Sequence, residues 1–280
     1  MDAASFQTFA SRDLRGFYRE LLGAAPPSTP VALLPPSRAD REAWSRGVPL
    51  LRLPVVRVDA AAFKEVLAKV VRVCTSHFPA MAAEPEFEKA LQELTRPEKL
   101  ETLIAALLSS GEVAVLDEKK VGVRVGQACA WVLGQAFKVA LKGLWPQVVG
   151  WWDPGEWQRG YCPVCGGNPS MGLLDGEGRY HLYCGLCEAQ WPSPGVCPFC
   201  GQDSWDRVAV PEADGEEACA LYACRRCRGY LKTVEERRGA VVDLFWEDLN
   251  TIGLDLVAWR QGLINGAVLA GLRAGRPSDT

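Results

Sequence analysis

From Phe63 to Cys74 the apolar positions are Phe63, Val66, Leu67, Val70, Val71 and Cys74. Their offsets of 0, 3, 4, 7, 8 and 11 trace one face of an α-helix. Asp59 offers an N-cap ahead of this stretch, and Pro79 a stop behind it. The same period recurs on both sides. Phe6, Phe9, Leu14, Phe17 and Leu21 line a helix within residues 1–25. Phe87, Leu91 and Leu94 mark a short helix after Pro85. Pro97 suits a first helical position, and Leu100, Leu103, Ile104, Leu107 and Leu108 carry that helix to Gly111. A longer helix is predicted from about Asp117 to Gly143, burying Val125, Cys129, Val132, Leu133, Ala136, Ala140 and Leu141. Pro26, Pro27, Pro30, Pro35 and Pro36 enforce an extended connection. The chain from there to Val58 reads as irregular, with turns at Gly47 and Pro49, laid across other helices. The first 145 residues read as a helical bundle.

Near Trp145 the pattern changes. Six of the ten tryptophans lie between Trp145 and Trp205. Within this region the chain repeats itself. Cys162-Pro163-Val164-Cys165-Gly166 leads, after a loop, to Arg179-Tyr180-His181-Leu182-Tyr183 and Cys184. Cys197-Pro198-Phe199-Cys200-Gly201 leads, after a longer loop, to Cys219-Ala220-Leu221-Tyr222-Ala223 and Cys224. Each unit is a knuckle, an excursion, a strand and a second knuckle. The inner gaps, 166–183 and 201–223, suit rubredoxin-like ribbons. Asp175-Gly176-Glu177-Gly178 and Glu212-Ala213-Asp214-Gly215 have hairpin-turn composition. After Cys227 comes a strand at Tyr230–Val234, a turn at Arg238-Gly239 and a hairpin return through Val241-Val242. A last helix is predicted from about Trp246 to Leu263, on Leu249, Ile252, Leu256 and Trp259, and a frayed tail from Arg273.

The fold class is therefore α+β. Residues 1–157 form a helical domain, 158–195 a first rubredoxin-like ribbon, 196–243 a second, and 244–280 a C-terminal helix and tail.

Eight of the eleven cysteines stand in four Cys-x-x-Cys pairs. Two residues between cysteines let one tight turn aim both sulfurs at one ion, and two such turns complete a tetrahedral site. The internal repeat favours the sequential sets Cys162/Cys165/Cys184/Cys187 and Cys197/Cys200/Cys224/Cys227 over an interleaved cross-brace pairing. Sulfur ligands permit iron or zinc. Four ligands per ion leave no open coordination position, which argues against a metallohydrolase. A structural role for the metal needs no further purpose, because binding at such sites supplies folding free energy.

A net charge of −3 draws the protein neither to nucleic acid nor to anionic membrane. The start, Met1-Asp2-Ala3-Ala4-Ser5, has no basic or apolar leader region, and the odd cysteine count does not suit a disulfide framework. No apolar run reaches spanning length. A reducing cytoplasm fits best. Neither a phosphate-binding glycine loop nor a nucleophile elbow is present.

Other candidates carry plainer readings. His77 and Cys74 share a helix and could pair on a metal, but a helix-end histidine beside a core cysteine suffices. His181 could support Cys184 from behind, or be an ordinary strand residue. Cys219 could be a reactive thiol, against simple strand packing. Cys129 reads as core. Arg225, Arg226, Arg228, Lys232, Arg237 and Arg238 form a basic edge that could meet nucleic acid or an acidic protein surface, although Glu235 and Glu236 interrupt it.

The sequence Tyr161–Gly166, the run Leu182-Tyr183-Cys184-Gly185-Leu186-Cys187-Glu188-Ala189-Gln190-Trp191, the second pair of knuckles through Lys232, and Trp246-Glu247-Asp248-Leu249 resemble the FdhE family of formate dehydrogenase accessory proteins. The resemblance covers roughly residues 158–255. It implies a non-enzymatic cytoplasmic assembly factor. Such a factor binds the catalytic subunit of a molybdenum- or tungsten-containing formate dehydrogenase. The eight paired cysteines match the family's ligand positions, with iron as the reported metal, and Cys219 does not. The longer acidic excursion Glu212–Glu217 departs from the family. The rival readings are a zinc-ribbon nucleic-acid binder and a rubredoxin-like electron-transfer protein.

Overall fold

The computed structural model describes residues 13–23, 30–110, 123–208, 219–236 and 242–267. The helices are α1 (Asp13–Gly23), α2 (Arg38–Ser45), α3 (Ala60–His77), α4 (Pro79–Ala82), α5 (Phe87–Leu94), α6 (Pro97–Ser110), α7 (Val123–Leu141), α8 (Trp145–Val149), α9 (Leu244–Asn250) and α10 (Ile252–Arg260). The strands are β1 (Val31–Leu33), β2 (Val56–Val58), β3 (Met171–Leu174), β4 (Tyr180–Tyr183), β5 (Gln190–Pro192), β6 (Trp205–Val208), β7 (Cys219–Cys224), β8 (Gly229–Glu235) and β9 (Ile264–Asn265). The protein is thus a mixed helix and sheet structure.

Contacts divide it into two compact units, Met1–Pro36 with Leu51–Val148, and Ser37–Leu50 with Val149–Thr280. The first unit is built around α3 and α7. Asp59 caps α3 by accepting from the Ala62 N–H at 3.0 Å. Phe63, Val66, Leu67, Val70 and Cys74 are buried, and Val73 is buried where Val71 was expected. Every residue predicted for the inner face of α7 is buried. Phe63 meets Phe137 at 4.6 Å, and Phe17 of α1 stacks on Trp131 at 5.6 Å. Phe6 and Phe9, placed on that first helix by their spacing, lie outside the described residues, as do the stretch before Val123, the Glu212–Gly215 turn, Arg238-Gly239 and the tail.

The stretch before Val58 is not irregular. Ser37 and Asp40 form a capping box that starts α2, with Asp40 Oδ2 accepting from the Ser37 N–H at 2.8 Å. Only Trp44 of this helix is buried. A helix that is polar on all other faces gives little apolar period to read. It belongs to the second unit.

That unit is organised by one seven-stranded sheet of order β5-β4-β3-β8-β7-β6, with β9 also paired to β8. Each ribbon brings an antiparallel set: β3-β4-β5 in the first, β6-β7-β8 in the second. They join through a parallel ladder, Met171↔Lys232 to Leu174↔Glu235. The two ribbons therefore share one sheet. The hairpin return expected near Val242 has no place on β8. One edge of that strand is taken by β7, the other by β3 and β9.

The two faces of β8 are tied down differently. On one, Tyr180 of β4 reaches across β3 to bond Thr233 at 2.7 Å. A Cβ on the intervening Gly172 would lie 2.2 Å from the Tyr180 hydroxyl, so only glycine fits beneath that bridge. On the other face Lys232 is 2% exposed. Its Nζ donates to the Asp248 carbonyl and to Asp255 Oδ2, both at 2.7 Å, and pairs with Asp248 Oδ1. Tyr230 also donates to Asp255, at 2.7 Å. The predicted single last helix is in fact two, α9 and α10, broken at Thr251. The buried residues are Leu244, Phe245, Leu254 and Ala258, while Trp259 is 73% exposed. The Lys232 ion pairs select this face, placing Asp248 and Asp255 inward; hydrophobic spacing alone could not show it.

Burial opposes the charge on Lys232, but the Asp248 and Asp255 carboxylates outweigh it and hold the ammonium above its usual range. Asp255→Ala leaves a buried cation half-compensated and costs about 2–3 kcal/mol, measured by urea unfolding near neutral pH. The stabilisation is complete below the ordinary lysine range and is lost as pH rises through the raised value. The gap between wild type and variant stays constant through neutral pH and narrows only in strong alkali. A loss below about 0.5 kcal/mol contradicts this account.

Candidate metal centres

All four Cys-x-x-Cys pairs fold into the same turn. The Gly166, Glu188, Gly201 and Arg228 N–H groups each donate 2.9 Å back to the carbonyl of the first cysteine in their pair. Each of these four residues has positive φ, between 60° and 79°. This left-handed step right after the second cysteine closes the knuckle, and glycine takes it at no steric cost. In two knuckles a non-glycine residue occupies it, Glu188 and Arg228.

The knuckles meet as the sequential sets. The sulfurs of Cys162, Cys165, Cys184 and Cys187 lie within 4.8 Å of one another, as do those of Cys197, Cys200, Cys224 and Cys227. Their close pairs are 3.4 Å (Cys162–Cys187), 3.5 Å (Cys165–Cys184), 3.7 Å (Cys197–Cys227) and 3.5 Å (Cys200–Cys224). Tetrahedral bonds of about 2.3 Å to a common ion set sulfurs about 3.8 Å apart. A disulfide would need about 2.05 Å. The donor set and spacing fit a soft or borderline ion, and either cluster could bind one.

The surroundings also fit a cation. In the first cluster hydrogen bonds from Cys162, Cys165 and Cys187 hold the Cys184 thiol well below its ordinary value, against burial. Burial pushes Cys162 and Cys187 well up. A bound cation is what would bring four buried sulfurs to the thiolate form together. In the second cluster burial pushes Cys224 up, but the Cys227 and Arg226 N–H groups and the Ser204 hydroxyl outweigh it and bring it down to about 6.

The clusters differ in cover. The first is closed, its cysteines 0, 7, 2 and 1% exposed. Val164, Cys165 and Gly167 N–H groups point at its sulfurs, at 3.4, 3.5 and 3.4 Å. Trp44 of α2 donates to the Pro163 carbonyl in its first knuckle at 3.2 Å, and the Leu50 N–H donates to the same oxygen at 2.9 Å. Trp44 also packs against Trp152 and Trp157. In the second cluster Cys200 and Cys227 are partly exposed. Here the Ser204 hydroxyl lies 3.0 Å from Cys224 Sγ.

The other candidates go elsewhere. His181 Nε2 pairs with Asp175 Oδ2 at 3.0 Å in the β3–β4 hairpin. Asp175 is held well below the usual carboxylate range by the Arg179 backbone and side chain, Glu177 and His181. Cys74 is buried and its thiol pushed up to about 12, while His77 bonds Glu20 at 2.9 Å. Cys129 is buried likewise. Cys219 packs against the cluster of Leu221, Ala223, Tyr230, Leu254 and Ala258. In the basic edge Arg225 pairs with Asp206, Arg226 bonds Gln202 and Arg228 bonds the Gly262 and Gln261 carbonyls. Lys232 is buried, and Arg237 and Arg238 lie outside the described residues. Sequence reasoning missed Trp44, Ser204 and the Glu188 and Arg228 backbones. The knuckle spacing carried a signal for the last two, which follow the second cysteine of their pair as Gly166 and Gly201 do.

A family model described as "FdhE, central domain" matches residues 161–194, the first cluster and its ribbon. The FdhE homolog of Aquifex aeolicus is 36% identical over 119 residues, which are 39% of this chain and 40% of that relative. An FdhE protein of Escherichia coli is 26% identical over 234 residues, 81% of this chain and 71% of that one. The crystal structure of the FdhE protein from Pseudomonas aeruginosa matches with a TM-score of 0.54 at 21% identity, covering 90% of this chain and 85% of that one. These likenesses together support the FdhE family for this chain. The match to the Pseudomonas FdhE structure extends beyond the ribbons, to a fold of mixed helix and sheet. No helix among the described residues is long and apolar enough to cross a membrane.

The left-handed conformation at Glu188 costs a side-chain-bearing residue about 1 kcal/mol. Glycine takes that conformation without strain, so Glu188→Gly raises stability by about 0.5 kcal/mol in thermal or urea unfolding of the metal-loaded protein. Arg228→Gly does not, because it also loses the bonds to Gln261 and Gly262. Destabilisation by Glu188→Gly contradicts the knuckle argument.

Proposed function

We propose that this FdhE-family chain is a non-enzymatic accessory protein for the assembly of a formate dehydrogenase. It acts in the cytoplasm and binds the catalytic subunit of a molybdenum or tungsten enzyme. Cys162, Cys165, Cys184 and Cys187 hold one ion, and Cys197, Cys200, Cys224 and Cys227 a second, each iron or zinc. The ribbons 158–195 and 196–243 are rubredoxin-like units in a chain that also has a helical domain. The observation that carries this reading is the pair of four-sulfur clusters, the first of which lies within the residues that the FdhE central-domain model matches. Four sulfurs per ion leave no position for substrate, which supports a binding role over a hydrolytic one.

Affinity purification of the full-length chain from anaerobic cells tests it. The expected result is about two ions per chain and co-purification of a formate dehydrogenase catalytic subunit. Recovery of two ions with nucleic acid and no such subunit sinks the accessory reading in favour of a ribbon nucleic-acid binder. Recovery of no metal sinks the assignment of the clusters.

A further inference from the structure

The two clusters share ligands, spacing and knuckle geometry, yet they are supported in different ways. Metal leaves a four-sulfur site by stepwise replacement of ligands, so an incoming ligand needs a sulfur it can reach. The first cluster offers none. All four of its cysteines are buried. Its first knuckle is pinned by two donors on one carbonyl, from Trp44 and Leu50. The buried side chains of Trp157 and Trp191 tie down the chain leading into that knuckle, bonding the Tyr161 and Arg159 carbonyls at 2.7 and 3.0 Å. Moving this knuckle means loosening bonds from fully buried tryptophans.

The second cluster has an open edge. Cys200 and Cys227 come from different knuckles and both are partly exposed. The buried ligands Cys197 and Cys224 form its inner side. Arg225 and Arg226, on the outer knuckle, are exposed and held by surface contacts to Asp206 and Gln202. Hydroxyl support differs too. Ser170 and Ser204 each immediately precede the first strand of their ribbon. Ser204 reaches Cys224 Sγ at 3.0 Å, whereas Ser170 Oγ is buried with no hydrogen-bond partner.

We infer that the two centres are functionally unequal: the first is a closed structural centre, and the second is an exchangeable one entered through Cys200 and Cys227. Ser204 is its positioning residue, steadying Cys224 on the inner side while the outer sulfurs are approached. The inference rests on both clusters holding metal.

The test uses full-length, zinc-loaded protein mixed with the chromogenic chelator 4-(2-pyridylazo)resorcinol, with iodoacetamide labelling mapped by mass spectrometry. Two kinetic phases of one zinc each are expected, the fast one at least about tenfold quicker. Labelling during the fast phase falls on Cys200 and Cys227, and the first four cysteines label only in the slow phase. Ser204→Ala speeds the fast phase by about tenfold and leaves the slow phase and the circular dichroism spectrum unchanged. Ser170→Ala changes neither phase. Release of both ions at one rate, or early labelling of Cys162, Cys165, Cys184 or Cys187, overturns the inference while leaving two metal centres in place. A chain that takes up no zinc overturns the metal reading itself and this inference with it. A Ser204→Ala variant that accelerates both phases equally assigns Ser204 a general folding role and overturns its positioning role.

Discussion

Four sulfurs can face one ion only if each Cys-x-x-Cys pair turns back on itself within five residues. The backbone does this by returning an N–H to the first cysteine's carbonyl and stepping into the left-handed region. The same step sends the chain directly out along a strand after Cys187 and Cys227. Knuckle and sheet are therefore one construction. β4 runs into the second knuckle, and β7 into the fourth. The sheet aims the sulfurs, and a bound ion would in turn hold the strand ends together. Such coupling matters because ribbons of this size have little core of their own.

The second constraint is the joining of two ribbons that could in principle stand apart. β8 leaves the last knuckle and continues into a parallel ladder with β3 of the first ribbon. β7 takes one edge of β8 and β3 most of the other, so the chain beyond packs as α9 and α10 before β9 fills the short remaining stretch at Gly229-Tyr230. Lys232 then decides which helix faces turn inward. An ammonium buried under α9 and α10 needs two carboxylates, and Asp248 and Asp255 supply them from separate helices. The exposure of Trp259 follows from that choice rather than from hydrophobicity.

Much of the local structure was legible in the residues. The 3/4 period found α3, α5 and α7, and Asp59 announced its cap. Asp175-Gly176-Glu177-Gly178 announced the hairpin that Arg179 and His181 secure. Cysteine spacing and the internal repeat identified both sets of sulfurs that the fold brings together. What was hidden depends on partners far away in the chain. α2 has one buried residue, and its value lies in Trp44 meeting Pro163 across 119 positions. The β3–β8 ladder leaves no trace in either strand's own pattern. Gly172 reads as a weak point in a strand until Tyr180 and Thr233 are seen to meet above it.

The difference between the clusters belongs to this hidden class. The repeat presents two equal units, and every ligand of one has its counterpart in the other. Equality ends where the surroundings are recruited. The first ribbon is pinned by the α2 segment through Trp44, which bonds its first knuckle and packs against Trp157. The second is left with two sulfurs toward solvent and a serine behind a third. A duplicated metal unit needs no second covered copy to fold once the shared sheet is secured by the first. Freed from that demand, its outer edge can carry exchange, while the first centre remains the fixed point of the sheet.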